Sequence, residues 1–184
     1  MPISPRNLTL SLPIVLVLFS ASLSAQASHN TAQAKPCTDD QQKQFDFWIG
    51  EWDLTWPGAN AGEVDHGTNT IQRVMDGCVV QESFSGGDSM HLRGMSVSTY
   101  VPQSNAWKQT WVDNEGGYLD LVGGYKDGQM ILSRESKTPA GTAIHMRMVF
   151  KNISKNEFDW SWEKSIDDGK SWQVVWPIHY KRKS

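Results

Sequence analysis

The segment AWKQTWVDNEGGYLDLVGGYKDGQMILSRES, residues 106–136, contains three short runs in which apolar and polar residues alternate. Such alternation is typical of β-strands with one buried face. The triplets Glu115-Gly116-Gly117 and Lys126-Asp127-Gly128 separate the runs, and both are rich in residues that favour tight turns. Connections this short predict antiparallel neighbours, because a parallel crossover needs a dozen or more residues.

The same pattern continues on both sides of this segment. The strand candidates are 51–56, 67–75, 78–85, 92–100, 106–113, 118–125, 129–136, 142–152, 157–166 and 171–182. A meander of this length must close on itself or stack, because exposed strand edges pair with other chains. Even spacing and short turns favour closure over a β-sandwich, which is the alternative. We therefore predict an all-β fold, a single antiparallel meander β-barrel of about ten strands.

The first 27 residues have the pattern of a cleavable signal peptide. The apolar run 8–19 is followed by small residues and by Ala25-Gln26-Ala27, a typical cleavage sequence. The run is shorter than the ~20 residues that a membrane-spanning helix needs, and an uncleaved anchor is the alternative. We therefore expect a periplasmic or secreted protein with a flexible lead-in at 28–36, a barrel domain at 37–184 and no stable membrane span.

Charge and cysteine content narrow the possible partners. The formal net charge is −3 and the basic residues are scattered, so nucleic acid is not an expected partner. Cys37 and Cys78 most simply form a disulfide in an oxidising compartment. Buried free thiols and a metal site are the alternatives, but no CxxC or Cys–His spacing supports a metal. Neither a metal nor a cofactor is expected.

Residues 45–53, FDFWIGEWD, run from the end of a predicted short helix at 38–48 into the first strand. Gly50-x-Trp52 resembles the G-x-W motif that opens lipocalins and other calycin barrels. That resemblance implies that the helix plugs one end of the barrel. It also implies that Trp52 packs beneath a basic residue of the last strand, here Arg182, in a cation–π contact.

The whole opening stretch, with later matches at 77–82, 94–96, 107–113 and 165–172, resembles a family of mostly uncharacterised bacterial exported proteins. The resemblance covers roughly 37–182. It implies a calycin-like barrel and brings no settled activity. Nitrobindins, which are haem-binding barrels of ten strands, are similar in architecture only, and they place a haem-ligating histidine near the chain end, where His179 lies.

The predicted inner faces are aromatic, with few polar groups. Nine tryptophans are present, and several share an inward face with Phe158, Ile178 or a polar residue. This make-up is typical of a small-molecule pocket, with packing of the core as the alternative. Arg147 and Trp172 are also expected to face inward. The predicted ligand-binding residues are Glu82, Ser96, Gln109, Trp111, Asp113, Trp162 and Tyr180.

Four functions are compatible with this pattern. The leading one is an exported barrel that holds a largely apolar or aromatic small molecule. The second is a barrel enzyme of the isomerase, cyclase or hydratase type that uses Glu82 or Asp113 as general acid or base. The third is a haem-binding barrel with His179 as ligand. The fourth is an envelope interaction module, whose sign would be an exposed apolar patch on the barrel wall.

Overall fold

A computed structural model describes residues 37–184. The predicted signal peptide (1–27) and lead-in (28–36) lie outside the described residues. Ten strands form: β1 Gly50–Pro57, β2 Val64–Val74, β3 Val79–Ser85, β4 Arg93–Val101, β5 Ala106–Asp113, β6 Tyr118–Lys126, β7 Gln129–Lys137, β8 Ala143–Lys151, β9 Glu157–Ser165 and β10 Gln173–Arg182.

The strands form a closed barrel in chain order. Each strand pairs antiparallel with its neighbour in sequence, and β1 pairs with β10 in a register that sets Trp52 opposite Arg182. Closure removes every exposed strand edge. The predicted all-β meander barrel is therefore confirmed, and the β-sandwich alternative is wrong.

The turn between β6 and β7 shows why the meander closes tightly. Lys126 pairs directly with Gln129, which leaves a two-residue connection. Its two residues, Asp127 and Gly128, have φ values of 52° and 79°. A hairpin turn with two positive φ angles matches the twist of antiparallel strands, and Asp-Gly is one of the pairs that adopt it.

The predicted helix at 38–48 is present only as two short 3₁₀ helices, Asp40–Lys43 and Asp46–Trp48. Phe45 and Trp48 are both fully buried. A 3₁₀ helix brings residues three apart onto one face, so this geometry points both rings into the barrel. The segment 40–48, here called the plug, closes one end of the barrel.

Arg182 holds the plug in place. Its guanidinium donates to the carbonyl oxygens of Ile49 at 2.8 Å, Phe47 at 3.1 Å and Lys155 at 2.9 Å. Its Cζ lies 4.1 Å from the centre of the Trp52 ring. Gly50 has a φ of 136°, and a β-carbon there would overlap the guanidinium. Glycine at this position therefore allows both the backbone turn and the seating of Arg182.

A disulfide joins Cys37 to Cys78, so the segment before the plug is tied to the start of β3. The predicted bridge is confirmed, and it indicates a protein outside the reducing cytoplasm. Arg73 adds to the same connection, because it donates to the Gln42 carbonyl and to the Asp46 carboxylate, each at 2.6 Å. Across residues 37–184, the helices are too short and too polar to cross a bilayer.

Candidate functional site

A cavity of about 130 Å³ lies inside the barrel. An apolar cavity of roughly 150 Å³ accommodates benzene, so this one has room for a molecule of about one ring. The side chains that line it are Trp48, Glu82, Phe84, Leu92, Trp111, Leu119, Met148, Phe150, Trp160, Trp162, Trp176, Ile178 and Tyr180.

The cavity extends from the plug towards the opposite end of the barrel. That end, here called the mouth, is formed by the connections 58–63, 86–92, 114–117, 138–142 and 166–172. Trp48 of the plug is fully buried at the base. Leu92, Trp111 and Trp162 belong to the mouth half and are partly exposed. Access from solvent is therefore expected at the mouth.

Glu82 is the charged residue of the cavity wall, and it is held by two donors. Asn69 Nδ2 donates to Glu82 Oε1 at 2.7 Å, and Ser96 Oγ donates to Oε2 at 2.6 Å. The register explains these contacts, since Ser96 lies directly opposite Glu82 on β4. Asn69 Nδ2 also donates to the Tyr180 hydroxyl at 3.1 Å, which joins β2, β3, β4 and β10 in one buried network.

Burial controls the protonation of this network. Burial raises the pKa of Glu82 above its ordinary 4.5, and the hydrogen bonds from Ser96 and Asn69 only partly offset that rise. Burial, together with the nearby Glu82 carboxylate, raises the pKa of Tyr180 well above its usual range. Within residues 37–184, the cavity wall contains no Lys, Arg or His to stabilise a Glu82 anion.

Gln109 is buried on the inner face, but it does not line the cavity. Its Nε2 donates to Ser98 Oγ at 2.9 Å, while its Oε1 has no protein partner. Gln109 pairs with Ser98 across β4 and β5. Gln109 therefore faces the lumen as predicted, and its amide is hydrogen-bonded to Ser98 on the neighbouring strand β4.

Asp113 lies at the mouth and is used by its own connection. Its Oδ1 accepts from the backbone amides of Glu115 at 3.0 Å and Gly117 at 2.8 Å, and its Oδ2 accepts from Trp111 Nε1 at 2.9 Å. The hydrogen bond from Trp111 lowers the pKa of Asp113 most, and the hydrogen bond from the Gly117 amide adds to this effect. Asp113 therefore does not line the cavity. Its carboxylate instead holds the ring of Trp111 in position.

Gly94 leaves the space that the Trp111 ring occupies, and the sequence analysis did not predict this role. Gly94 lies opposite Asp113 on β4, and a β-carbon at Gly94 would overlap the Trp111 ring. Asn69 was also missed. It lies two residues before Ile71 and so shares an inward face with it, and this alternation is the signal that could have placed it in the lumen.

Two residues that were expected to face inward lie outside. Arg147 is paired with Glu163 across β8 and β9 and donates to its Oε2 at 2.7 Å. The Cζ of Arg147 lies 3.8 Å from the centre of the Trp172 ring. The expectation was wrong for both. Arg147 alternates with Met148, which faces the cavity from β8, so Arg147 faces outward. A bulge between Val174 and Trp176 reverses the alternation of β10 before Trp176, which turns Trp172 outward.

His179 also lies on the outer wall. Its side chain is 46% exposed, and its Nδ1 is 2.9 Å from Asp159 Oδ1. The haem alternative needed an inward-facing imidazole at this position, so the structure contradicts it. Within residues 37–184, no three His, Cys, Asp or Glu side chains are grouped in a way that could hold a metal ion.

The outer wall carries the apolar patch that was named as the sign of an interaction module. Met95, Val112 and Tyr118 are direct cross-strand neighbours on β4, β5 and β6. All three are exposed, Tyr118 by 61%. The patch lies on the opposite side of the sheet from the cavity.

Comparison with known proteins identifies one match. A family model described as a protein of unknown function (DUF1579) matches residues 38–182. No curated protein matches the chain. The family match extends from the plug to the end of β10, so it includes every residue of the cavity wall. The description of the family names no activity.

Proposed function

We propose that this chain, which belongs to the family of proteins of unknown function DUF1579, is an exported binding protein that holds a small, largely apolar molecule in its barrel. The cavity of about 130 Å³ is the observation that carries this proposal. Its wall is aromatic or aliphatic except for Glu82. A pocket with an apolar wall and few polar groups is the usual form of a small-molecule site.

The persistence of the cavity also supports binding. Protein interiors are close-packed and contain few voids larger than a water molecule. Side chains around an unfilled space of about 130 Å³ lose the contacts that close packing would give them. Many large aromatic side chains line this barrel, and yet they leave the space unfilled. An apolar ligand in the cavity would recover the lost contacts.

The wall residues divide into three roles under this proposal. Trp111, Trp162 and Tyr180 supply apolar contact area, and Glu82 supplies the polar contact that orients the ligand. Ser96 fixes the position of Glu82 through its hydrogen bond. Export to the periplasm or beyond, through the signal peptide at 1–27, agrees with the disulfide between the plug segment and β3.

Thermal stabilisation by small aromatic compounds tests the proposal. Indole and toluene should raise the melting temperature of the protein by mass action, because they bind only the folded barrel. Leu92→Trp would fill the mouth half of the cavity and should remove that shift. Val122→Trp, on the exposed outer wall, is the matched control and should keep it. Failure of both indole and toluene to stabilise the wild type would overturn the proposal.

A second candidate is proton transfer by Glu82 to or from a bound substrate. Its support is the raised pKa of a carboxyl that faces the cavity, since a general acid needs a proton near neutral pH. Asp113 has no part in this candidate, because Trp111 Nε1 and the backbone amides of Glu115 and Gly117 already bind its two carboxylate oxygens. Turnover of a compound that binds the wild type, lost in Glu82→Gln with binding retained, would establish the enzyme; unchanged turnover would exclude this role.

A further inference from the structure

We infer that the molecule held in this barrel is a small organic cation, such as a substituted ammonium, whose charge pairs with Glu82 among the aromatic rings. The inference rests on the proposed binding function and names the chemical class of the ligand. It follows from the charges of the wall, the orientation of the rings and the partners of Glu82.

The ionisable groups of the cavity wall have one sign. Glu82 and Tyr180 are both acids, and no basic side chain of residues 37–184 lines the cavity. An anionic ligand such as a fatty acid would therefore lack a positively charged partner in the cavity wall. Burying a charge without a partner is costly, so the wall selects against anions. A cation would gain a partner instead.

The rings of the wall favour a cation in the same way. Trp176 meets Trp160 at 5.7 Å and 85°, and Phe84 at 5.9 Å and 88°, so the rings stand edge to face around the space. Aromatic faces are electronegative and attract cations by about 2 kcal/mol when water is excluded. Elsewhere in the chain Arg182 and Arg147 lie over Trp52 and Trp172. Within residues 37–184, the cavity tryptophans have no protein cation over their rings.

Glu82 has neutral partners only. Asn69 from β2 and Ser96 from β4 donate to it, and the titratable group that faces it is Tyr180 from β10. Burial raises the pKa of Glu82, so the empty site binds this proton more tightly than a solvated carboxyl does. A bound cation would favour the carboxylate. Binding should therefore release a proton, and affinity should rise with pH until Glu82 is ionised in the empty protein.

Choline and its neutral carbon isostere, 3,3-dimethylbutan-1-ol, form a pair of probes for this inference. They share one shape, they fit the space that a single ring would fill, and they differ in charge. We expect calorimetry near pH 7 to give choline about 30-fold tighter binding, since about 2 kcal/mol of cation–π attraction corresponds to that ratio. Titrations in buffers of different ionisation enthalpy should show proton release with choline and none with the isostere.

Glu82→Gln keeps the shape and a hydrogen-bonding group at this position. It should lower choline affinity by tenfold or more, abolish proton release and leave isostere binding within about threefold. Glu135→Gln, an exposed carboxylate-to-amide change on the outer wall, is the matched control and should change neither. Proton release in the wild type tests the inference even if Glu82→Gln folds poorly.

Three outcomes would overturn the inference. The isostere binding as tightly as choline would do so and would leave the proposed function standing. If Glu82→Gln left the affinity for choline unchanged, the inference would also be overturned and the proposed function would stand. Binding of neither probe would reject the organic cation, and the indole and toluene experiment would then decide separately whether the barrel binds small molecules at all.

Discussion

Asn69 Nδ2 lies 2.7 Å from Glu82 Oε1 and 3.1 Å from the Tyr180 hydroxyl, so one amide joins the two acids of an otherwise apolar cavity. The arrangement holds Glu82 in one position without supplying a positive charge. A carboxyl that is buried, oriented and without a positive partner costs folding free energy, which is typical of a residue that binds a ligand.

Glu82 should make the stability of the barrel fall as pH rises. Its pKa is raised in the folded state, so the native protein retains a proton that the unfolded chain releases above about 4.5. The free energy of unfolding should therefore decrease from pH 4.5 upward until Glu82 ionises in the native state. Urea unfolding at several pH values should show this decrease in the wild type and a smaller one in Glu82→Gln. Parallel pH profiles for the two proteins would contradict it.

Gly94→Ala should displace Trp111 and destabilise the barrel by about 1–3 kcal/mol, the usual cost of overpacking. The new β-carbon would overlap the ring, and the ring would lose its bond to Asp113. Gly124→Ala is the matched control, since a β-carbon at Gly124 on β6 meets nothing within 4 Å. Equal unfolding free energies for the two variants would show that Gly94 does not set the ring.

Arg182→Lys should loosen the plug although the charge is kept. Lysine cannot reproduce the donors that a guanidinium aims at the carbonyls of Phe47, Ile49 and Lys155. The expected loss is about 1–3 kcal/mol, because the part-buried carbonyls of Phe47 and Ile49 are left without a donor. Lys181→Gln, at the neighbouring exposed position, is the control and should stay within about 0.5 kcal/mol. Denaturant unfolding followed by tryptophan fluorescence measures both.

Reduction of the Cys37–Cys78 bridge should lower stability by up to about 4 kcal/mol, as the chain-entropy model gives for a sequence separation of 41. The melting temperature should fall on addition of dithiothreitol. The double variant Cys37→Ser and Cys78→Ser should melt at the lower temperature and should not respond to dithiothreitol. A response in that variant would mean that the reductant acts elsewhere.

Much of the architecture could be predicted, because two-residue periodicity and turn chemistry are local properties. The ten strands and their antiparallel order follow from such signals, and the Trp52–Arg182 contact requires only that the first and last strands meet. The plug was misjudged as one helix, since its 3₁₀ form comes from the packing of Phe45 and Trp48 against the lumen.

The site was predicted only in part, because its details depend on interactions across strands. Glu82 could be placed inside by alternation, but its partner Asn69 lies on another strand, in a register that no local pattern gives. Asp113 shares the inward face of β5, yet the backbone amides of its own connection bind its carboxylate. Trp172 was misplaced because one extra residue in β10 reverses the alternation.

A crystal structure of the protein soaked with indole tests the central claim most directly. We predict ring-shaped density within the barrel, bounded by Trp160, Trp162 and Trp176, with Glu82 within hydrogen-bonding distance of the indole nitrogen. A lumen filled by the protein's own side chains, with indole absent or bound only on the outer wall, would contradict the account.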